Sequence, residues 1–194
     1  MADQRKVNRM EHFYQRVPGM FNFQDLYKRM VREAESPAHF VEVGAFLGKS
    51  ASFMAVEIIN SGKQIIFDVV DTFEGSPQVK EERKFTNEVT GDYYSQFLSN
   101  IKPACGYIRP FPMTSRLAAE RYKILSLDFV YIDASHDYKS VQADINAWYP
   151  KVKPGGYIGG HDYRSNCPGV WRAVNERFGR GGVEQIGTSW LKQI

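Results

Sequence analysis

Two short stretches carry residues whose types and spacing could do chemistry. Val41-Glu42-Val43-Gly44-Ala45-Phe46-Leu47-Gly48-Lys49-Ser50 links an apolar run to a helical pattern through two glycines. A phosphate-binding P-loop needs four residues between its first Gly and the Gly-Lys-Ser end, and three stand here. A dinucleotide fingerprint needs a Gly where Phe46 stands. Glu42, two residues before Gly44, would repel phosphate and attract a cation. A ligand with a sulfonium and an ammonium but no phosphate suits the stretch, with the Gly backbone allowing close approach. Asp71 closes the next apolar run, where an acid takes ribose hydroxyls in nucleotide-binding α/β folds and can accept both protons. The plain alternative is a tight turn flanked by ordinary strand-end acids.

The second stretch is Asp128-Phe129-Val130-Tyr131-Ile132-Asp133-Ala134-Ser135-His136-Asp137-Tyr138. Asp133 ends a buried run and His136 follows at the start of a helix, so both can point into one cleft. Downstream, Lys153-Pro154-Gly155-Gly156 has the Pro-then-Gly order of a type II turn and leads to Gly159-Gly160-His161-Asp162-Tyr163. Asp133, His161 and Asp162 on neighbouring strand ends can hold a divalent cation or simply hydrogen-bond one another. Mg²⁺ prefers oxygen ligands, so the imidazole favours Mn²⁺ if a metal binds. His136 has the ordinary pKa of a general base for deprotonating a hydroxyl, or is a capping histidine.

These residues need a scaffold. Apolar β-branched runs at 40–43, 65–70, 107–111, 127–132 and 157–160 read as strands, and 50–60, 92–101, 115–122 and 138–148 read as helices between them. The alternation predicts an α/β, doubly wound, mostly parallel sheet with ligands beyond the strands' carboxyl ends. Before it, Asn22 is placed to cap a helix through Phe23, Leu26, Tyr27, Met30 and Val31, ended by Ser36-Pro37. After it, Pro168 opens a helix that Gly179 to Gly182 stop. Runs at 183–186 and 190–194 around Gly187-Thr188 then form an antiparallel hairpin, giving seven strands. The irregular stretch 72–90 is long enough for a lid or substrate loop.

With 194 residues and 43% hydrophobic content, one core and one domain are expected, residues 1–36 forming a basic segment and helix on the main unit, 37–194. The net charge of +3 is spread along the chain, so neither nucleic acid nor membrane is the expected partner. Arg5, Lys6, Arg9 and Arg16 make a weakly basic start. Two cysteines, Cys105 and Cys167, fit a reducing compartment, and the reading is a soluble, cytoplasmic protein. An edge hairpin can pair across a twofold axis, so a homodimer is one expected assembly.

From about Phe40 to Phe178 the chain resembles class I S-adenosylmethionine-dependent methyltransferases, in the branch of macrocin-type sugar O-methyltransferases. The likeness rests on Tyr131-Ile132-Asp133-Ala134-Ser135-His136-Asp137-Tyr138, then Asp144, Lys153-Pro154-Gly155-Gly156, His161-Asp162-Tyr163 and Pro168-Gly169-Val170-Trp171-Arg172-Ala173-Val174. It implies a Rossmann-like fold in which Glu42, Gly44 and Gly48 line the methionine end, Asp71 holds the ribose and Ser115 lies near the adenine. Ser50, Thr72 and Asp133 complete the expected cofactor contacts. It also implies metal ligands at Asp133, His161 and Asp162, Mg²⁺ or Mn²⁺ as the ion, His136 as the base, and a small-molecule or sugar hydroxyl as acceptor. Such relatives usually carry an acid where this chain has His161. Two rival readings are a methyltransferase-fold binding protein without catalysis and, drawn from Gly48-Lys49-Ser50, a P-loop nucleotide hydrolase.

Overall fold

The computed structural model describes residues 9–75 and 92–194. Its centre is a seven-stranded sheet in the order β3-β2-β1-β4-β5-β7-β6. The strands are β1 (Ala38–Val43), β2 (Ile65–Asp71), β3 (Arg109–Pro112), β4 (Leu127–Ile132), β5 (Val152–Gly160), β6 (Glu184–Ile186) and β7 (Ser189–Gln193). The first five run parallel; β7 lies antiparallel between β5 and β6, as expected of the hairpin.

Side chains alternate across the sheet, so each strand feeds two cores. Phe40, Phe67, Phe129 and Tyr131 face a cluster shared with α1 (Gln24–Glu33), α2 (Lys49–Ser61) and α3 (Tyr93–Ile101). Val41, Val43, Val130 and Ile132 face the other cluster, shared with α4 (Ser115–Ala119), α5 (Tyr138–Trp148) and α6 (Pro168–Phe178). Burying both faces explains why these strands read as continuous apolar runs. The Lys153-Pro154-Gly155-Gly156 turn is absorbed into β5 as an irregularity in its pairing with β4, with Gly155 at a φ of 81°.

Two expectations need correction. Helix α4 ends at Ala119 rather than Tyr122. Asn22 does not cap α1, which begins at Gln24 after Phe23 with no side-chain cap. The Asn22 side chain is instead engaged 139 residues away along the chain, at His161. Of the 72–90 stretch, only 72–75 lie within the described residues. Among the described residues no helix is long and apolar enough to cross a membrane.

The chain leaves β1 for β2 and β3, then returns to β4 on the other side of β1. That reversal opens a crevice beyond the carboxyl ends of β1 and β4, the usual ligand position in open α/β sheets.

Candidate active site

A cavity of about 640 Å³ occupies this crevice. Its floor is the turn after β1. Gly44 adopts a φ of 91°, and a Cβ there would stand 2.1 Å from the Asp133 carbonyl oxygen, so only Gly lets β1 pass so close to the end of β4. The turn is held by Asp71: its Oδ2 accepts from the Ala45 and Phe46 backbone N–H groups (2.8 and 2.9 Å) and its Oδ1 accepts from Phe73 N–H (2.8 Å). A carboxylate offers about four lone-pair positions, so one position on Oδ1 remains for a hydroxyl rather than the two expected. The same bonds bear on the P-loop reading, because the N–H groups that would cradle a phosphate already donate to an acid.

The sequence-derived cofactor residues divide. Gly44, Ser50, Asp71, Thr72, Ser115 and Asp133 all line the cavity. Glu42 and Gly48 are not among its lining residues. A Cβ on Gly48 would meet Ile101 and Phe97 of α3 at 2.9 and 3.0 Å, so this glycine serves helix packing. Glu42 shares the face of Phe40 and is 1% exposed, and neither of its carboxyl oxygens has a hydrogen-bond partner among the described residues. Burial pushes its pKa up to about 8, against the opposing pull of Ser50 and Tyr27. Period-two alternation along β1 could have placed Glu42 inside.

Beside the cavity the β4 and β5 ends bring four groups together. His136 Nε2 lies 3.2 Å from Asp162 Oδ2 and 3.8 Å from Asp133 Oδ1, and His161 Nδ1 lies 3.5 and 3.6 Å from the same two carboxylates. One donor atom each from Asp133, His136 and Asp162 fits within 4.8 Å of the others, a spacing suited to a shared cation. The Asp133 and Asp162 carboxylates raise the His136 pKa above its ordinary value. At His161 burial opposes the charged ring, yet the same two acids outweigh it and carry the pKa to about 9. Both acids are correspondingly held below the usual carboxylate range: burial works against them and the imidazoles prevail.

Three of the non-glycine residues at positive φ surround this region: Phe46 (49°), Phe73 (55°) and Asp162 (56°). For the two bulky aromatics that conformation costs about 1–3 kcal/mol each. Such strain concentrates where a site fixes the backbone.

Sequence reasoning missed one wall. Pro18, Gly19 and Met20 line the cavity, with Met20 80% exposed at its rim. Their segment is tied to α2 by Asn60, whose Oδ1 accepts from Met10 N–H (2.8 Å) and whose Nδ2 donates to Met10 O (3.0 Å), and by His12 against Glu57 at 2.7 Å. No local pattern announces this wall, because its contacts are made with elements far along the chain. Asp144 also lines the cavity, and burial raises its pKa to about 6.

The shifts predict how stability depends on pH. For Glu42 and His161 the folded pKa lies above the ordinary value, so each contributes stability at low pH that is lost as pH rises through the folded pKa. With a chelator present, the protein should lose a few kcal/mol between about pH 4.5 and 9, Glu42 acting over the lower part of that range and His161 over the upper. Glu42→Gln should flatten that decline in thermal melts; a variant declining in parallel with wild type would show that Glu42 does not titrate there.

The switch-point cavity thus brings together a glycine turn, an acid at the end of β2 and acids just beyond β4 and β5. The methyltransferase-domain family profile matches residues 41–163, and the chain belongs to that family. Among solved structures, the O-methyltransferase NovP superposes with a TM-score of 0.69 at 22% identity, covering 88% of this chain and 78% of that one. MycE, a methyltransferase of the mycinamycin biosynthetic pathway solved with Mg, S-adenosylhomocysteine and mycinamycin VI, gives 0.57 at 15% identity, over 90% of this chain and 50% of that one. A curated relative, the uncharacterized protein y4gI of Sinorhizobium fredii, is 25% identical over 138 residues. These are 70% of this chain, which spans only 14% of that protein's length.

Proposed function

We propose that the protein moves a methyl group from S-adenosylmethionine to a hydroxyl oxygen of a small molecule or sugar. The observation that carries this reading is the convergence of Asp133, His136, His161 and Asp162 beside the cavity floored by Gly44. The solved O-methyltransferases NovP and MycE, alike in fold, support the acceptor type.

In this reading Asp71 takes one ribose hydroxyl, with Thr72 beside it. Ser115 borders the adenine. Gly44 and Ser50 flank the amino acid end, and the Asp133 carboxylate attracts its ammonium. The acceptor oxygen approaches the methyl carbon in line with the sulfur; the new C–O bond forms as the S–C bond breaks, and the bonding pair stays on sulfur in S-adenosylhomocysteine. His136 Nε2 receives the hydroxyl proton. Because the neighbouring acids favour its protonated form, transfer should rise with pH through a His136 pKa above the ordinary value.

The Asp133 and Asp162 carboxylates with an imidazole nitrogen beside them suit a divalent ion, and an imidazole donor favours Mn²⁺ over Mg²⁺. Asp133, His161 and Asp162 would hold it, and when bound it would lower the acceptor pKa.

The test is transfer of labelled methyl across a panel of sugars, nucleotide sugars and phenols. Wild type should methylate an oxygen of at least one of them, and His136→Ala should be about a hundredfold slower on that acceptor. Equal rates would remove the base assignment. Binding of S-adenosylhomocysteine with no transfer across the panel would favour the non-catalytic binding protein.

A further inference from the structure

Two side chains from opposite ends of the chain meet the outer nitrogen of His161. Nε2 lies 2.8 Å from Asn22 Oδ1 and 2.8 Å from Thr188 Oγ1, and Thr188 Oγ1 is itself 3.4 Å from Asn22 Oδ1. An amide oxygen only accepts. The arrangement that satisfies all three contacts has Nε2–H donating to Asn22 Oδ1 and Thr188 Oγ1, with the Thr188 hydroxyl donating to Asn22 Oδ1. In the neutral ring the lone pair then belongs to Nδ1, which faces Asp133 and Asp162.

We infer that Asn22 and Thr188 are positioning residues that fix the proton of His161 on Nε2 and so present Nδ1, as a ligand, to the cation site between Asp133 and Asp162. The inference rests on the proposed metal-assisted reading. A histidine ligand is held in this way when its second nitrogen donates to a neighbouring acceptor, which sets both tautomer and ring orientation. Here the acceptors come from the segment before α1 and from the turn between β6 and β7. Phe23, next in sequence to Asn22, packs its ring 5.1 Å from the imidazole and 4.6 Å from Tyr131, which limits rotation of the ring. The segment before α1 therefore contributes to two features at once: Pro18 to Met20 wall the cavity and Asn22 orients a ligand.

The experiment measures Mn²⁺ affinity of the full chain by the EPR signal of the free ion, for wild type, Asn22→Ala, Asn22→Asp and Thr188→Val. Thermal melts in the absence of metal confirm that each variant folds. Asn22→Ala and Thr188→Val should each bind Mn²⁺ about tenfold more weakly, whereas Asn22→Asp, which keeps the accepting oxygen, should bind at least as tightly as wild type. Equal affinity in all four proteins overturns the inference. If wild type itself binds no Mn²⁺, the metal reading falls, and the positioning role is decided in the metal-free protein by long-range ¹H–¹⁵N NMR of the neutral His161 ring. The proton on Nε2 in wild type but spread over both nitrogens in the Asn22→Ala/Thr188→Val double variant supports it; a proton on Nδ1, or a tautomer unmoved by the double change, overturns it.

Discussion

Gly44→Ala should weaken S-adenosylhomocysteine binding by about a hundredfold or more while leaving the rest of the sheet folded. The added methyl would stand 2.1 Å from the Asp133 carbonyl oxygen and 2.9 Å from Ala134 Cα, both backbone atoms that no rotamer change can move. The φ of 91° penalises any side chain there in addition. Relief requires β1 and β4 to part at their carboxyl ends, which also pulls Ala45 and Phe46 from the Asp71 carboxylate. Gly62→Ala is the control: its φ is 66° but nothing lies within 4 Å of the added Cβ. It should lower stability by about 1 kcal/mol and leave binding intact. Calorimetric titration of both variants gives the comparison, and comparable losses in the two would mean that the close approach at Gly44 is not what the ligand needs.

Asp133→Ala should reduce methyl transfer by about a thousandfold, the equivalent of several kcal/mol of transition-state stabilisation. Asp133 is the group on which the site's charges converge. It faces both His136 and His161, and its backbone N–H donates to Val43 O (2.7 Å) so that the end of β4 is held against β1. Removing the carboxylate leaves two imidazoles sharing Asp162, which is also paired with Arg164 at 2.6 Å. The His136 and His161 pKa values should both fall, because Asp133 raises each of them. Rates with the acceptor found for wild type, taken with and without Mn²⁺, read the effect; a loss below tenfold would move the chemistry away from the β4 end.

Much of the scaffold was legible because β1, β2, β4 and β5 bury residues on both faces and so write themselves as apolar runs, with the intervening helices marked by their apolar spacing. Leu127–Ile132, Tyr138–Trp148 and Pro168–Phe178 lie where the pattern placed them. The placing of polar residues at strand ends was legible for the same reason: Gly44, Asp71, Asp133, His161 and Asp162 each follow the last apolar residues of a run. Three features were hidden, for separate physical reasons. Glu42 looked like a pocket acid by position, but strand alternation turns it into the core behind the turn. Asn22 carried a capping signature, yet α1 starts at Gln24 with Phe23 at its N-cap, and the Asn22 side chain meets His161 instead. Pro18 to Met20 reach the cavity only because Met10 and His12 dock on α2, a long-range contact with no periodicity to betray it.

Everything about the cavity depends on its accepting a sulfonium nucleoside or its product in place of a phosphate ligand. The most direct measurement is isothermal calorimetry on the chelator-treated protein, titrated with S-adenosylhomocysteine and, separately, with ATP plus Mg²⁺. One saturable site for S-adenosylhomocysteine and no heat from ATP is the expected result. Saturable ATP binding with a silent S-adenosylhomocysteine titration would contradict it.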